Sequence, residues 1–241
     1  MNKGTEADGN VAVGGSFVSV GAKKINLVDI SVNPGGVGEA YYCSANLQTL
    51  NTDGTTAKTY YYLYNKKHGG TSGTAGWYLD KTGSADKLIT RETGIEFDPG
   101  TGFWMQGNGK QITFSGEVLT SSTEISIDTE ADGNVMVANP YPFAVNLADI
   151  KIDAGGTGEA YYCTANVQTL NTDGTTDKTY YYLYNKKHGG TSGTAGWYLD
   201  KTGSADKLIT RETGIELPAS GAYWVQGNGK KIVFPAFTLD E

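Results

Sequence analysis

Reactive side chains are scarce in this sequence, and each occurs twice. The only histidines, His68 and His188, each follow two lysines in a glycine-rich run. A triad or a histidine-based metal centre there would need partners brought in by the fold, and a lone loop histidine is ordinarily solvated. The only cysteines, Cys43 and Cys163, also hold equivalent places. They are either buried free thiols acting as small apolar groups or candidate inter-domain or inter-subunit thiols, and a bridge would require Cα atoms roughly 5 to 6 Å apart. Asp53-Gly54 and Asp173-Gly174, with the turns Asp8-Gly9-Asn10 and Asp132-Gly133-Asn134, offer oxygen ligands for calcium. They lack the dense acidic alternation of a calcium loop, so capping of tight turns is the plainer reading. No zinc spacing, phosphate loop or nucleophile elbow is present. The chain therefore reads as a non-enzyme without a cofactor.

The remaining candidates are aromatic: Tyr60, Tyr62, Tyr64 and Trp77, matched by Tyr180, Tyr182, Tyr184 and Trp197. Alternate side chains of a strand share a face, so Tyr60, Tyr62 and Tyr64 point one way and Tyr61 and Leu63 the other. Such a row either forms an exposed platform that stacks on sugar rings or fills a core or an interface between subunits. Neither face of this strand is polar, which predicts cover on both sides.

What positions these residues is a unit written twice. Gly38 to Glu96 returns 120 positions later, as Gly158 to Glu216, with only Ser44→Thr, Leu47→Val and Ala57→Asp changed. The chain of 241 residues is read as two tandem homologous domains from an internal duplication, 1–122 and 123–241, each long enough to bury a core. Short segments rich in Val, Ile, Tyr, Phe and Thr between Gly, Asn and Asp predict an all-β fold with sandwich-like, jelly-roll or Ig-like domains. In the first unit the expected strands are Val11 to Val13, Phe17 to Val20, Glu39 to Cys43, Asn46 to Leu50, Lys58 to Tyr64, Gly76 to Leu79, Lys87 to Arg91, Phe103 to Gln106 and Gln111 to Phe114. Asn51-Thr52-Asp53-Gly54 and Gly107-Asn108-Gly109-Lys110 carry the turn chemistry of hairpins. Asn26 to Ile30 and Asn146 to Ile150 predict single helical turns.

Glu124 to Asp128 alternates polar with apolar and predicts an extra strand entering the second domain. Only four residues precede Thr5, so the first domain is expected to lack that strand and to offer a vacant edge for strand addition by another copy. With 26 acidic against 19 basic residues the net charge is −7, which disfavours nucleic acid as a partner. No apolar run is long enough to span a bilayer, and Met1 to Gly4 does not read as a secretory signal, so the chain is expected to be a mature form with an added Met1 or a fragment.

The second unit carries Gly133-Asn134-Val135-Met136-Val137-Ala138-Asn139-Pro140-Tyr141-Pro142 and, much later, Gly221-Ala222-Tyr223-Trp224-Val225 with Lys231-Ile232-Val233-Phe234. This pattern resembles the β-rich repeat modules of secreted and cell-surface bacterial proteins, found in Bacteroidetes and related phyla, that open on a GN motif followed by NPYP and end on G-x-[FY]-W-V. The resemblance implies export, array-like surface proteins and no catalytic role. The first unit departs from it, with Gly14-Gly15-Ser16-Phe17 in place of NPYP. Physically, the two prolines make a rigid extended turn, and Trp104 and Trp224 are expected to close the two cores.

The leading expectation is an extracellular or cell-surface structural and adhesive protein, self-assembling into a fibre or layer by head-to-tail or strand-addition contacts. The alternative is a tandem carbohydrate-binding module that gains avidity for a polysaccharide from two linked aromatic sites.

Overall fold

The computed structural model describes residues 2–4, 10–14, 25–33, 43–63, 74–106, 111–115, 119–127, 134–153, 163–183, 195–219, 221–227 and 230–237. The chain is all-β, in several antiparallel sheets, none closed into a barrel. The first half contains β1 (Asn2–Gly4), β2 (Asn10–Gly14), β3 (Ile25–Asn26), β4 (Ile30–Asn33), β5 (Cys43–Leu50), β6 (Thr56–Leu63), β7 (Gly76–Tyr78), β8 (Glu96–Phe97), β9 (Gly102–Gln106) and β10 (Gln111–Phe114). The second contains β11 (Thr123–Ile127), β12 (Val135–Ala138), β13 (Val145–Asn146), β14 (Lys151–Asp153), β15 (Cys163–Leu170), β16 (Thr176–Leu183), β17 (Gly196–Tyr198), β18 (Glu216–Leu217), β19 (Ala222–Gln226) and β20 (Lys230–Phe234). Each half has a five-stranded sheet, ordered β2-β9-β5-β6-β7 in the first and β12-β19-β15-β16-β17 in the second. A three-stranded sheet, β1-β10-β4 or β11-β20-β14, and a two-stranded ribbon, β3-β8 or β13-β18, complete it.

Strand alternation explains how these sheets hold together. Ala45, Leu47, Phe103 and Met105 of the large sheet share one buried cluster with Ile30, Val32, Ile112 and Phe114 of the small one. An equivalent cluster contains Ala165, Val167, Tyr223 and Val225 with Ile152, Ile232 and Phe234. The layers are pinned by a tryptophan: buried Trp77 donates its indole N–H to the Ile30 carbonyl at 2.6 Å, and Trp197 does the same to Ile150 at 2.7 Å. An indole this deep needs an acceptor, because an orphaned polar group in the core costs more than a hydrogen bond yields.

The Asp-Gly turn joins β5 to β6 as an antiparallel pair, and Gly54 adopts φ +84°, as the turn chemistry requires. The helical turns form at Leu27–Asp29 and Leu147–Asp149, with Asn26 and Asn146 accepting from the backbone N–H two residues on at 3.1 and 3.0 Å. The expected second hairpin does not form. β9 lies in the large sheet and β10 in the small one, so the chain crosses between layers there, as it does between β19 and β20. The expected strand from Lys87 to Arg91 is replaced by two 3-10 turns, Ala85–Lys87 and Arg91–Thr93, with one isolated bridge from Leu88 to Tyr78 between them. Thr93 accepts from the Thr90 N–H at 3.0 Å, Gly94 ends the turn at φ +68°, and Arg91 pairs with Asp29, so local side-chain bonds outcompete the ladder. The expected strand at Phe17 to Val20 lies outside the described residues, as does the expected strand Glu39 to Cys43 except for Cys43, which begins β5, a strand that runs on to Leu50 without the break expected before Asn46.

The first half does not have the vacant edge that was expected. β1 pairs with β10 from Asn2 opposite Thr113 to Gly4 opposite Gln111, in the place that β11 takes beside β20. Strand addition at that edge is therefore ruled out, because the ladder positions are filled by the chain's own residues. The segment ahead of β11 packs with the second half: Leu119 joins its core and Ser121 accepts from the Tyr141 hydroxyl at 2.8 Å.

In the second half the Asn139-Pro140-Tyr141-Pro142 corner is a lock. Asn139 is fully buried; its amide donates to the carbonyls of Phe143 at 2.8 Å and Leu217 at 3.1 Å, while its oxygen accepts from the Tyr141 N–H at 3.0 Å. Tyr141 stacks parallel to Phe143 with centroids 5.4 Å apart and meets Phe237 edge-on at 5.1 Å.

Candidate assembly surface

The aromatic strand comes first. In β6, Tyr60 stands opposite Leu47 and Tyr62 opposite Ala45, so both tyrosines fall on the core face of the sheet. Tyr60 and Trp77 are buried, as are Tyr180 and Trp197. Tyr62 and Tyr182 are half-buried, held edge-on against those tryptophans at 5.3 and 5.2 Å. Of the two readings of this row, core or exposed platform, the register favours the core for the described members: the rings of Tyr60, Tyr62, Tyr180 and Tyr182 turn inward. Tyr64 and Tyr184, like His68 and His188, lie outside the described residues. Cys43 and Cys163 begin β5 and β15, each backbone opposite a leucine of the neighbouring strand, Leu63 or Leu183.

The acidic turns at Asp53 and Asp173 are occupied by their own chain, while Asp8-Gly9 and Asp132-Gly133 lie outside the described residues. Asp53 accepts from the Thr55 N–H at 2.9 Å and from its hydroxyl at 2.6 Å, and Asp173 repeats this with Thr175 at the same distances. Asp80 and Asp200 do likewise with Thr82 and Thr202. The threonine hydroxyls, then the backbone N–H groups, hold all four carboxyls below the ordinary aspartate value. Among the described residues no three His, Cys, Asp or Glu side chains gather as a metal site would require.

The opposite face of each large sheet carries two features. One is a chain of amides: Asn46 donates to Gln106 at 2.9 Å, Gln48 donates to Asn46 at 2.9 Å, and the Thr56 hydroxyl donates to Gln48 at 2.9 Å. Asn166, Gln226, Gln168 and Thr176 repeat it at 2.8 to 3.0 Å. Beside it Tyr61 and Tyr181 each take a lysine over the ring, Lys81 at 5.3 Å and Lys201 at 5.2 Å.

The other feature is the seam between the halves. Phe103 and Met105 face the core, so Trp104 between them must face away, and Trp224 follows the same rule between Tyr223 and Val225. The expectation that these tryptophans close the cores is therefore corrected. They are half-buried and pack with Leu50 and Leu170 around buried Met136, Ala138 and Ala222. The fit is reciprocal. Trp104 lies on the Asp-Gly turn of the second half, close enough that a Cβ on Gly174 would meet its ring at 2.7 Å. Trp224 lies over the matching turn of the first half, 3.8 Å from a Cβ built on Gly54. Correspondingly, β9 lies against β12 and β2 against β19.

Backbone contacts seal the seam. Asn134 N–H donates to Thr52 at 2.9 Å and Ala138 N–H to Gly100 at 2.7 Å, and Thr101 bridges Val137. Met136 fills the space that a side chain at Gly102 would need, a Cβ there standing 2.4 Å away. The sequence signal for this surface was the parity of Trp104 within its strand together with glycine at position 102. No protein-family model, curated protein or solved structure matches this chain.

Proposed function

We infer that the chain is an extracellular structural or adhesive protein of a bacterial surface, a non-catalytic subunit that joins copies of itself into a fibre or layer. On this reading its halves are sandwich-like domains, of jelly-roll or Ig-like kind, that arose by internal duplication. The observation that carries it is the seam, in which two halves that share a nearly identical block of 59 residues meet through corresponding strands, each tryptophan at the other half's Asp-Gly turn. A surface that accepts a copy of itself is what an assembling subunit needs. The inward placement of the tyrosine row and the self-capped aspartates are consistent with side chains spent on shape and contact. Electron microscopy and light scattering of the full chain across a concentration series test the proposal. Fibres, sheets or concentration-dependent oligomers are expected, and a monomer at every concentration overturns it.

A polysaccharide-binding reading keeps one supporting observation, the paired amide chains, whose spare N–H groups suit hydroxyl-rich ligands. It now rests on Gln106, Asn46, Gln226 and Asn166 rather than on tyrosine or tryptophan. Glycan-array binding lost in Gln106→Ala with Gln226→Ala supports it; a blank array removes it.

A further inference from the structure

We propose that the seam is a homotypic joint that also forms between chains, the first half of one copy seating on the second half of another. The inference rests on the self-assembly reading and supplies its contact. Three observations carry it.

First, the joint joins like to like: each half offers a tryptophan and an Asp-Gly turn, and each tryptophan lies at the other half's turn. Second, the halves do not depend on the seam for their interiors. Each has its own large buried cluster, whereas the seam cluster has, among the described residues, only Met136, Ala138 and Ala222 as buried members. Opening the seam therefore leaves both cores closed. Third, few residues separate the last contact of the first half from the first contact of the second. Ser115 N–H donates to Asp29 of the first half at 3.2 Å, Leu119 is in the core of the second, and residues 116–118 connect them.

Exchange between chains remakes the same contacts, so the closed and exchanged forms differ in their dependence on concentration rather than in bonding. A short tether gives the intramolecular contact an effective concentration on the order of millimolar. The closed chain dominates in dilute solution, and exchanged chains gain where copies are crowded, as on a surface. Two exchanging chains close as a dimer, and a run in which each half finds a new partner stays open and grows.

The test uses the full chain held concentrated near the onset of unfolding, then cooled and sized by light scattering and electron microscopy. Wild type is expected to yield dimers and longer species, and Trp104→Ala with Trp224→Ala to lose them while circular dichroism stays unchanged. Because that variant can fail to fold, a second one locks the seam within one chain: Thr52→Cys with Asn134→Cys, on a Cys43→Ser and Cys163→Ser background, oxidised while dilute. The locked chain is expected to stay monomeric and to regain multimers on reduction. Multimers that persist in the locked chain overturn the joint and leave self-assembly standing. A wild type that yields no multimers under any of these conditions overturns both.

Discussion

Single residues in this chain reveal their importance by what they would leave behind. Removing the Asn139 side chain takes away a donor to the buried carbonyl of Leu217 and the acceptor of the Tyr141 N–H together. Asn139→Ala is expected to destabilise the second half by about 2 to 4 kcal/mol, read as a lower urea midpoint. Tyr223 titrates in the opposite sense to the capped aspartates. Its phenol is mostly buried, and burial pushes its pKa far above the ordinary tyrosine value; burial also raises Tyr60, Tyr78, Tyr141 and Tyr198. Unfolded tyrosine loses its proton near pH 10 while the folded groups keep theirs, so above that pH the unfolded state binds fewer protons. Stability is therefore fully present below about pH 10 and falls as pH rises beyond it, with phenolate absorbance expected to appear together with unfolding. For Asp53, Asp80, Asp173 and Asp200 the sign reverses. Their contribution holds above the ordinary aspartate pKa and is lost as pH falls through the lowered values.

At the scale of elements, the two Asp-Gly turns are a built-in control for each other. Gly54 and Gly174 have the same sequence context and φ angles of +84° and +86°, yet a Cβ at 54 has room beside Trp224 while one at 174 runs into Trp104. Gly54→Ala and Gly174→Ala should each cost about 1 kcal/mol in backbone strain. Only Gly174→Ala is expected to lose further stability and to shift tryptophan fluorescence as the seam opens. Much of this level was legible in the sequence. Runs of β-favouring residues placed β6, β9 and the later part of β5, asparagine at 26 and 146 marked the helical turns, and Asp-Gly marked the β5–β6 hairpin. The hairpin expected around Gly107 to Lys110 misled because turn-forming residues do not say whether the strands on either side pair, and β9 and β10 belong to different sheets. Lys87 to Arg91 misled because the Thr90 to Thr93 bond and the Arg91 pairing with Asp29 are local features that β propensity does not register. The tyrosine row's periodicity was correct, but which face became the core depended on pairing with Leu47 and Ala45. That is long-range information.

For the whole molecule, two separate cores meeting at a small seam predict separable unfolding. Trp104→Ala and Trp224→Ala are each expected to weaken coupling by about 2 kcal/mol, a fraction of a fully buried tryptophan's worth, and to split one calorimetric transition into two. The strand order adds a constraint on how the molecule is made. β9 sits between β2 and β5, so the first large sheet stays in two pieces until residue 106 has been synthesised. Until then β5 shows a bare flank to its surroundings, and the later β15 is almost the same strand. A ribosome that pauses after β9 lets the first sheet close before its near-twin emerges. Refolding from denaturant grants no such head start, and shuffled sheets built from both halves become the characteristic trap.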